Sequence, residues 1–190
     1  MLLLFFVSSN INKFLEVKSI LKDRLRGSRL NFYKFAITEI QSNDIEVIAL
    51  EKAKSAYNNA KVPILIEDDG LFINSLNGFP GPYSSFIYNT IGNKGILQLM
   101  KRKTERTAFF KSIFVYNDGT HLKLFNGEVN GRISTKISDG GWGFDPIFIP
   151  EKSYISMGKM YVKEEKNKYS HRKIALEKFI PWYDSIQCED

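Results

Sequence analysis

The stretch that most constrains this chain is a short apolar run, Ile64–Ile66, that ends at three consecutive acids, Glu67, Asp68 and Asp69. A turn-rich tract, residues 78–82 (GFPGP), follows soon after. A short apolar run is typical of a buried strand, which here would carry carboxylates at its C-terminal end, where α/β sheets place their functional groups. Because three adjacent negative charges repel one another, the stretch fits either a bound divalent metal or a solvated acidic turn, and both interpretations stay open.

The composition predicts a cytoplasmic protein with a sizeable core. The 190 residues are 43% hydrophobic, and their net charge of +6 favours an anionic partner without distinguishing nucleic acid from nucleotide. The single cysteine, Cys188, excludes an intramolecular disulfide and fits a reducing compartment. No apolar run reaches the roughly 18 residues of a spanning helix, so we expect no membrane partner. The apolar residues 1–7 lack a basic flank and predict a first strand rather than a signal peptide.

Apolar spacing predicts alternating strands and helices in the first half and an antiparallel meander after it. The predicted strands are 2–7, 30–37, 64–66, 107–116, 121–129 and 131–137, and the predicted helices are 12–25, 45–57, 85–91, 93–101 and 171–183, with a turn at 26–28 and a mobile loop at 153–168. Val47 and Ile174 are expected on the inward faces of their helices. The elements predict one domain with two lobes, about residues 1–105 with the last helix, and 106–150.

Polar residues follow the first predicted strand. Ser8, Ser9 and Asn10 lie between that strand and a helix, and Lys13 falls in the first helical turn. Backbone N–H groups at a helix start bind phosphate readily, and a lysine adds a positive charge. The same residues also fit an ordinary helix cap with a solvated lysine, so both interpretations stay open.

Two further segments carry ligand-binding residue types. Gly143 separates Trp142 from Phe144, and these aromatics fit either stacking on a base or packing in a core. His171 and Arg172 are adjacent at the start of the last predicted helix and offer several N–H donors to a carbonyl or a phosphate. None of these patterns is specific by itself.

The four segments in this order resemble the inosine triphosphate pyrophosphatase, or Ham1-like, family over about residues 2–180. The matching segments are 8–13 (SSNINK), 67–72 (EDDGLF) with 77–83 (NGFPGPY), 141–148 (GWGFDPIF) and 165–172 (EKNKYSHR). The resemblance implies an α/β fold with a long mixed central β-sheet, flanking helices and two lobes around a deep nucleotide cleft. It also implies a homodimer and Mg²⁺-dependent hydrolysis of the non-standard purine nucleotides ITP, dITP and XTP to the monophosphate and pyrophosphate.

The resemblance assigns a role to each matched residue. Asp68 and Glu67 would be the catalytic residues, with Asp68 as proton acceptor and metal ligand and either acid able to orient or deprotonate the water. Glu46 would be the second metal ligand, and Glu51 is the alternative to it. His171 and Arg172 would read the 6-keto group of the purine. The full set of implied substrate contacts is Ser8, Ser9, Asn10, Lys13, Asp69, Trp142, Gly143, Phe144, Asp145, Lys166, His171 and Arg172.

Two residues depart from the family pattern. Asp69 stands where the family usually has Ser or Thr, and a third carboxylate near a triphosphate would repel it. Ser9 replaces a common glycine of the phosphate loop. Two other functions stay open, a basic nucleic-acid-binding module without catalysis and a pyrophosphatase for other modified nucleotides. The positive charge is dispersed along the chain, which disfavours nucleic acid as a partner.

Overall fold

The computed structural model describes residues 2–25, 28–35, 37–163 and 165–187. The strands are β1 (Leu2–Ser8), β2 (Ser28–Lys34), β3 (Ile64–Ile73), β4 (Pro80–Gly81), β5 (Thr107–Asn117), β6 (Leu122–Ile133) and β7 (Phe148–Pro150). The helices are α1 (Ile11–Leu21), α2 (Ile45–Ala60), α3 (Ser84–Thr90), α4 (Gly92–Leu99), α5 (Met157–Val162) and α6 (His171–Ile186). Cys188 and residues 26 and 27 of the predicted turn lie outside the described residues.

The strands form one mixed sheet in the order β2-β1-β3-β5-β6-β7, with β4 paired to β3. β1 runs parallel to both β2 and β3. Helices α1 and α2 connect these parallel strands, as a parallel pair requires. The pairs β3–β4 and β6–β7 are antiparallel. The α/β class with a mixed sheet, predicted from the sequence, is confirmed.

The chain divides into two compact units, and each has its own core. The first unit comprises Met1–Asp68, Ser112–Gly127 and Arg172–Asp190, and the second comprises Asp69–Lys111 and Glu128–His171. In the first unit, Phe6, Phe114 and Phe179 belong to the core. In the second, Leu71, Phe110 and Phe148 do. The boundaries between the two units fall within β3, β5 and β6 and at the start of α6.

The acidic residues of β3 lie inside the strand and not at its end, which corrects the prediction from the sequence. β1 pairs with β3 only up to Ile66, so the parallel pairing stops where the acids begin. Beyond Gly70, the strand continues because Leu71 and Phe72 pair with β4. A side chain at Gly70 would collide with the carbonyl oxygen of Gly81, at 2.4 Å, so only glycine permits this close pairing.

Three other local predictions were wrong. β6 continues to Ile133 without the predicted break, because Gly131 lacks the Cβ that would collide with the backbone of β7. The predicted loop 153–168 contains α5, which is capped by Ser156 and buries Met157 and Met160. Two residues expected on inward faces, Val47 and Ile174, are exposed, and Ile48 beside Val47 is buried in its place. Of the helices that the structure describes, none combines the length and the apolar character needed to cross a membrane.

Candidate active site

The parallel strands of the first unit bring the predicted phosphate loop and the acids to the same edge of the sheet. Val7 is paired with Ile66, so Ser8 and Glu67 are the next residues on neighbouring strands. The loop is ordered by its own side chains. Ser8 Oγ accepts a hydrogen bond from the backbone N–H of Asn10 at 3.0 Å. Asn10 caps α1 by accepting from the backbone N–H of Asn12 at 2.9 Å.

Glu67 is buried and surrounded by donors of the first unit. Glu67 is 3% exposed. The hydroxyl of Ser112 donates to Oε1 at 2.7 Å. Arg172 Nε lies 2.9 Å from the same oxygen, and Lys13 Nζ lies 3.5 Å from Oε2. Burying a carboxylate is costly unless it is paired in this way, and these contacts fix the Glu67 side chain next to Asp68.

Arg172 lies between two carboxylates. Its Nε contacts Glu67, and its Nη1 donates to Glu16 Oε2 at 2.9 Å. The arginine is 1% exposed. The sequence had assigned its guanidinium to the purine base, and Glu16 had no assigned role. In this structure the guanidinium joins α1, β3 and α6 inside the first unit.

Asp68 shares a lysine with an acid that the sequence analysis missed. Lys52 Nζ lies 3.6 Å from Asp68 Oδ1 and 2.5 Å from Glu39 Oε1. Glu51, the alternative metal ligand, is exposed and accepts a hydrogen bond from Lys54 at 2.6 Å. Glu46 is half-buried in the first turn of α2. Helical spacing could only point to acids within α2, such as Glu46 and Glu51. It could not identify Glu39, which lies before the helix.

In the second unit, three of the predicted substrate contacts are joined to one another. Lys166 Nζ donates to Asp145 Oδ2 at 2.7 Å, and both residues are buried. The backbone N–H of Trp142 donates to the same carboxylate oxygen at 3.3 Å. Lys166 Nζ also lies 5.1 Å from the centre of the Trp142 ring. The Asp145–Lys166 pair therefore fixes the backbone and the ring of Trp142.

The two aromatics around Gly143 differ in burial, since Trp142 is half-buried and Phe144 is buried. Phe144 is 4% exposed and belongs to the core of the second unit, where Tyr88 packs edge-on against it with ring centres 5.5 Å apart. Asn93 Nδ2 holds the loop by donating to the carbonyl of Gly143 at 3.0 Å. Gly143 has a left-handed backbone with φ +59°, which disfavours any side chain there.

Asp69 lies beside His171 in the second unit. Asp69 Oδ2 is 3.8 Å from His171 Nε2. The imidazole is stacked on Phe110, with ring centres 4.8 Å apart and planes 9° from parallel. His171 is buried, and Asp69 is half-buried. The acid that departs from the family pattern therefore contacts the histidine that the sequence assigned to base reading.

Comparison with known proteins identifies the family of this chain. The model of the Ham1 family matches residues 4–182. A dITP/XTP pyrophosphatase of Saccharolobus solfataricus is 42% identical over 94% of this chain and 92% of its own. A dITP/XTP pyrophosphatase of Pyrococcus horikoshii is 43% identical over 94% of this chain and 95% of its own. The Staphylococcus aureus Ham1 protein structure superimposes with a TM-score of 0.80 at 25% identity, covering 99% of this chain and all of that one. The chain belongs to the Ham1 family.

Proposed function

We propose that this protein is a nucleoside-triphosphate pyrophosphatase that hydrolyses dITP, XTP and ITP to the monophosphate and pyrophosphate. The observation that carries the proposal is the buried acidic segment of β3 next to a helix-start phosphate loop in the same unit. The relatives at about 42% identity, which are named dITP/XTP pyrophosphatases, support the same reaction. The activity removes non-standard purines from the nucleotide pool, a role that we assign to the cytoplasm.

The phosphates would bind at the start of α1. The positive end of α1 attracts anions there. Lys13 is charged and lies in the first turn, where it already contacts Glu67 at 3.5 Å. Incoming phosphate oxygens would compete for this lysine, so substrate binding would loosen one contact of Glu67.

The carboxylates of the first unit fit a hard divalent ion such as Mg²⁺. Asp68 and Glu39 are oxygen donors that share Lys52, and oxygen is the ligand that Mg²⁺ prefers. These two residues would hold the ion in place of the lysine contact. When bound, Mg²⁺ supplies positive charge to the phosphate oxygens during the reaction.

Asp68 would act as the proton acceptor. A water oxygen attacks the α-phosphorus, its proton passes to an Asp68 carboxylate oxygen, and the bond from the α-phosphorus to the α–β bridging oxygen breaks to release pyrophosphate. Glu67 is committed to Arg172, Ser112 and Lys13. We therefore assign Glu67 to positioning β3 and its neighbour rather than to taking the proton.

The second unit would bind the base. Trp142 offers an aromatic face for the purine. His171 would donate to the 6-keto oxygen of hypoxanthine or xanthine, where adenine presents an amino group. Guanine also carries a 6-keto group, so the site would have to reject GTP through the 2-amino group of its base. Leaving that amino group buried and unpaired costs about 1–3 kcal/mol.

We also propose a homodimer. The segment at the start of and along α3 exposes a group of aromatic and apolar side chains, Tyr83, Phe86, Tyr88 and Ile91, with Phe86 66% exposed. Contiguous exposed apolar groups of this kind mark interaction surfaces. Equilibrium sedimentation of the wild type and of a Phe86→Glu variant tests this assignment, since a surface dimer weakens when a charge enters its contact.

A panel of nucleotides tests the proposed reaction. We expect pyrophosphate release from XTP, dITP and ITP with Mg²⁺, with kcat/KM about 10- to 100-fold above that of GTP or ATP, because one mispaired buried group costs that much. Chelation of the metal should abolish turnover. A nucleic-acid-binding module would instead show salt-sensitive binding to DNA or RNA and no turnover. A pyrophosphatase for other modified nucleotides would leave the three purine substrates uncleaved.

Three matched substitutions distinguish Glu39, which precedes α2, from Glu46 and Glu51, which lie in α2, as the second metal ligand. Glu39→Gln should raise the Mg²⁺ concentration for half-maximal activity at least about tenfold, because it removes a carboxylate that shares Lys52 with Asp68. Glu46→Gln and Glu51→Gln should change this concentration by less. A larger effect at Glu46 than at Glu39 would restore the assignment made from the sequence.

A further inference from the structure

The loop that carries Trp142 depends on outside contacts for its position. Three of the four residues 140–143 (GGWG) are glycines, whose backbone has the widest choice of conformations. Asp145 holds the loop from its own segment, since its Oδ2 accepts from the backbone N–H of Trp142 at 3.3 Å. Asn93, in the first turn of α4, holds it from another element, since its Nδ2 donates to the carbonyl of Gly143 at 3.0 Å.

Helix α4 is a firm support for this hydrogen bond. Its residue Ile96 and the following Met100 are fully buried, and both belong to the core of the second unit. Phe144, which follows Gly143, belongs to the same core. The helix and the end of the loop are therefore anchored in one core, and the amide of Asn93 links them directly.

The Asn93 amide is poorly suited to a purely stabilising role. Because the Gly143 carbonyl can only accept, Nδ2 must face it, which determines the orientation of the amide. The other amide atom, Oδ1, is buried and has no hydrogen-bond partner among the residues that the structure describes. The net gain from one hydrogen bond is no larger than the cost of one buried unpaired acceptor. Stability alone therefore does not account for an amide at this position.

We propose that Asn93 is a positioning residue for nucleotide binding, which fixes the Gly143 carbonyl and thereby the ring of the adjacent Trp142. An aromatic ring that is already oriented contributes more to base binding, because ordering a loop on binding costs free energy. Without the Asn93 N–H, Trp142 is less ordered in the free protein and the nucleotide binds more weakly. This inference rests on the proposed function, in which Trp142 offers its face to the purine.

The Asn93→Leu variant separates positioning from stability. Leucine has a similar volume and removes both the donor and the unpaired acceptor, so Tm should change by less than about 3 °C. KM for XTP and dITP should rise about five- to tenfold, the effect of one lost hydrogen bond, with kcat changed less than about threefold. Asn93→Ala should raise KM in the same way. The inhibition constant of tripolyphosphate, which has no base, should stay the same in both variants.

Fluorine NMR of protein labelled with fluorotryptophan observes the loop directly. The chain contains two tryptophans, Trp142 in the second unit and Trp182 in the first, and a Trp182→Phe variant assigns their signals. In protein without nucleotide, Asn93→Leu should shift or broaden the signal of Trp142 only. Asn59 provides a matched control, because its Nδ2 donates to the carbonyl of Ser55 within α2 at 2.7 Å. Asn59→Leu should leave both signals and the kinetics unchanged.

The outcomes separate this inference from the proposed function. If wild-type protein releases no pyrophosphate from XTP or dITP, the proposed function fails and the kinetic role of Asn93 fails with it. An unmoved Trp142 signal in Asn93→Leu would show that Asn93 does not hold the loop, whatever the activity. If the wild type is active and Asn93→Leu keeps its KM, the positioning role is overturned. An equal rise in KM and in the inhibition constant of tripolyphosphate would also overturn it, because that result describes a general distortion of the protein.

Discussion

Replacing Asp68 with asparagine should lower pyrophosphate release from XTP by about three orders of magnitude and leave the fold intact. Loss of a general base alone removes about 10²- to 10⁴-fold of rate, and this substitution also removes a proposed metal ligand. The fold should survive because Lys52, which loses its charged contact with Asp68, keeps the contact with Glu39 at 2.5 Å. Steady-state kinetics and thermal unfolding of the same preparation check both halves of the expectation.

A matched substitution elsewhere controls for the change of residue type. Asp23→Asn alters an exposed turn residue with a left-handed backbone, which asparagine also accepts. We expect no change in rate from it. If Asp68→Asn retained near wild-type turnover with Mg²⁺, the proton acceptor would have to be sought in another residue, and the assignment of the β3 acids would be lost.

Replacing Arg172 with alanine should destabilise the protein strongly. The guanidinium is buried between Glu16 and Glu67, and its removal would leave two buried carboxylates without their principal partner. Breaking a buried ion pair by removing one partner costs about 3–5 kcal/mol. For a chain of this size, that corresponds to a fall in Tm on the order of 10 °C. Thermal unfolding monitored by circular dichroism measures it.

The effect of Arg172 is compared with that of an exposed arginine. Arg24 lies 4.0 Å from Glu177, and both side chains are more than 40% exposed. Such surface pairs contribute at most about 1 kcal/mol, so Arg24→Ala should barely change Tm. Arg172→Lys should be intermediate, because an ammonium cannot span both carboxylates as the planar fork does. A raised KM with an unchanged Tm would show instead that Arg172 serves the substrate, as the sequence alone suggested.

Much of the fold could be predicted from the sequence because, in most segments, the local apolar pattern agrees with the packing that the segment adopts. The apolar residues of α1 and α2 recur at helical spacing, and β1 and β5 are apolar runs typical of buried strands. The sequence therefore located these four elements to within a few residues. Prediction failed where tertiary contacts decide. Nothing local marks Gly131 as a position inside a strand, because its close approach to β7 appears only after folding. Likewise, α5 has six residues, too few for a helical period to stand out in the sequence, and it is held by burial of Met157 and Met160.

The sequence identified candidate site residues but not the residues that each of them contacts. Motifs identify Asp68, Lys13 and His171 because their neighbours in the chain are distinctive. Pairing between distant segments leaves no such signal, as the contact of Glu16 with Arg172 shows, since 156 positions separate them. Glu39 and Lys52 lie outside the matching motifs and acquire significance only through Asp68. The structure also gives Asp69, the residue without an explanation in the sequence, a neighbour in His171.

The identity of the products formed from XTP tests the central claim most directly. Wild-type protein with Mg²⁺ should convert XTP to the monophosphate and pyrophosphate in equal amounts, as followed by ³¹P NMR, since attack at the α-phosphorus breaks the bond to the bridging oxygen. Stepwise formation of the diphosphate and inorganic phosphate would contradict the proposed attack on the α-phosphorus. No conversion of XTP, dITP or ITP would contradict the proposed function itself.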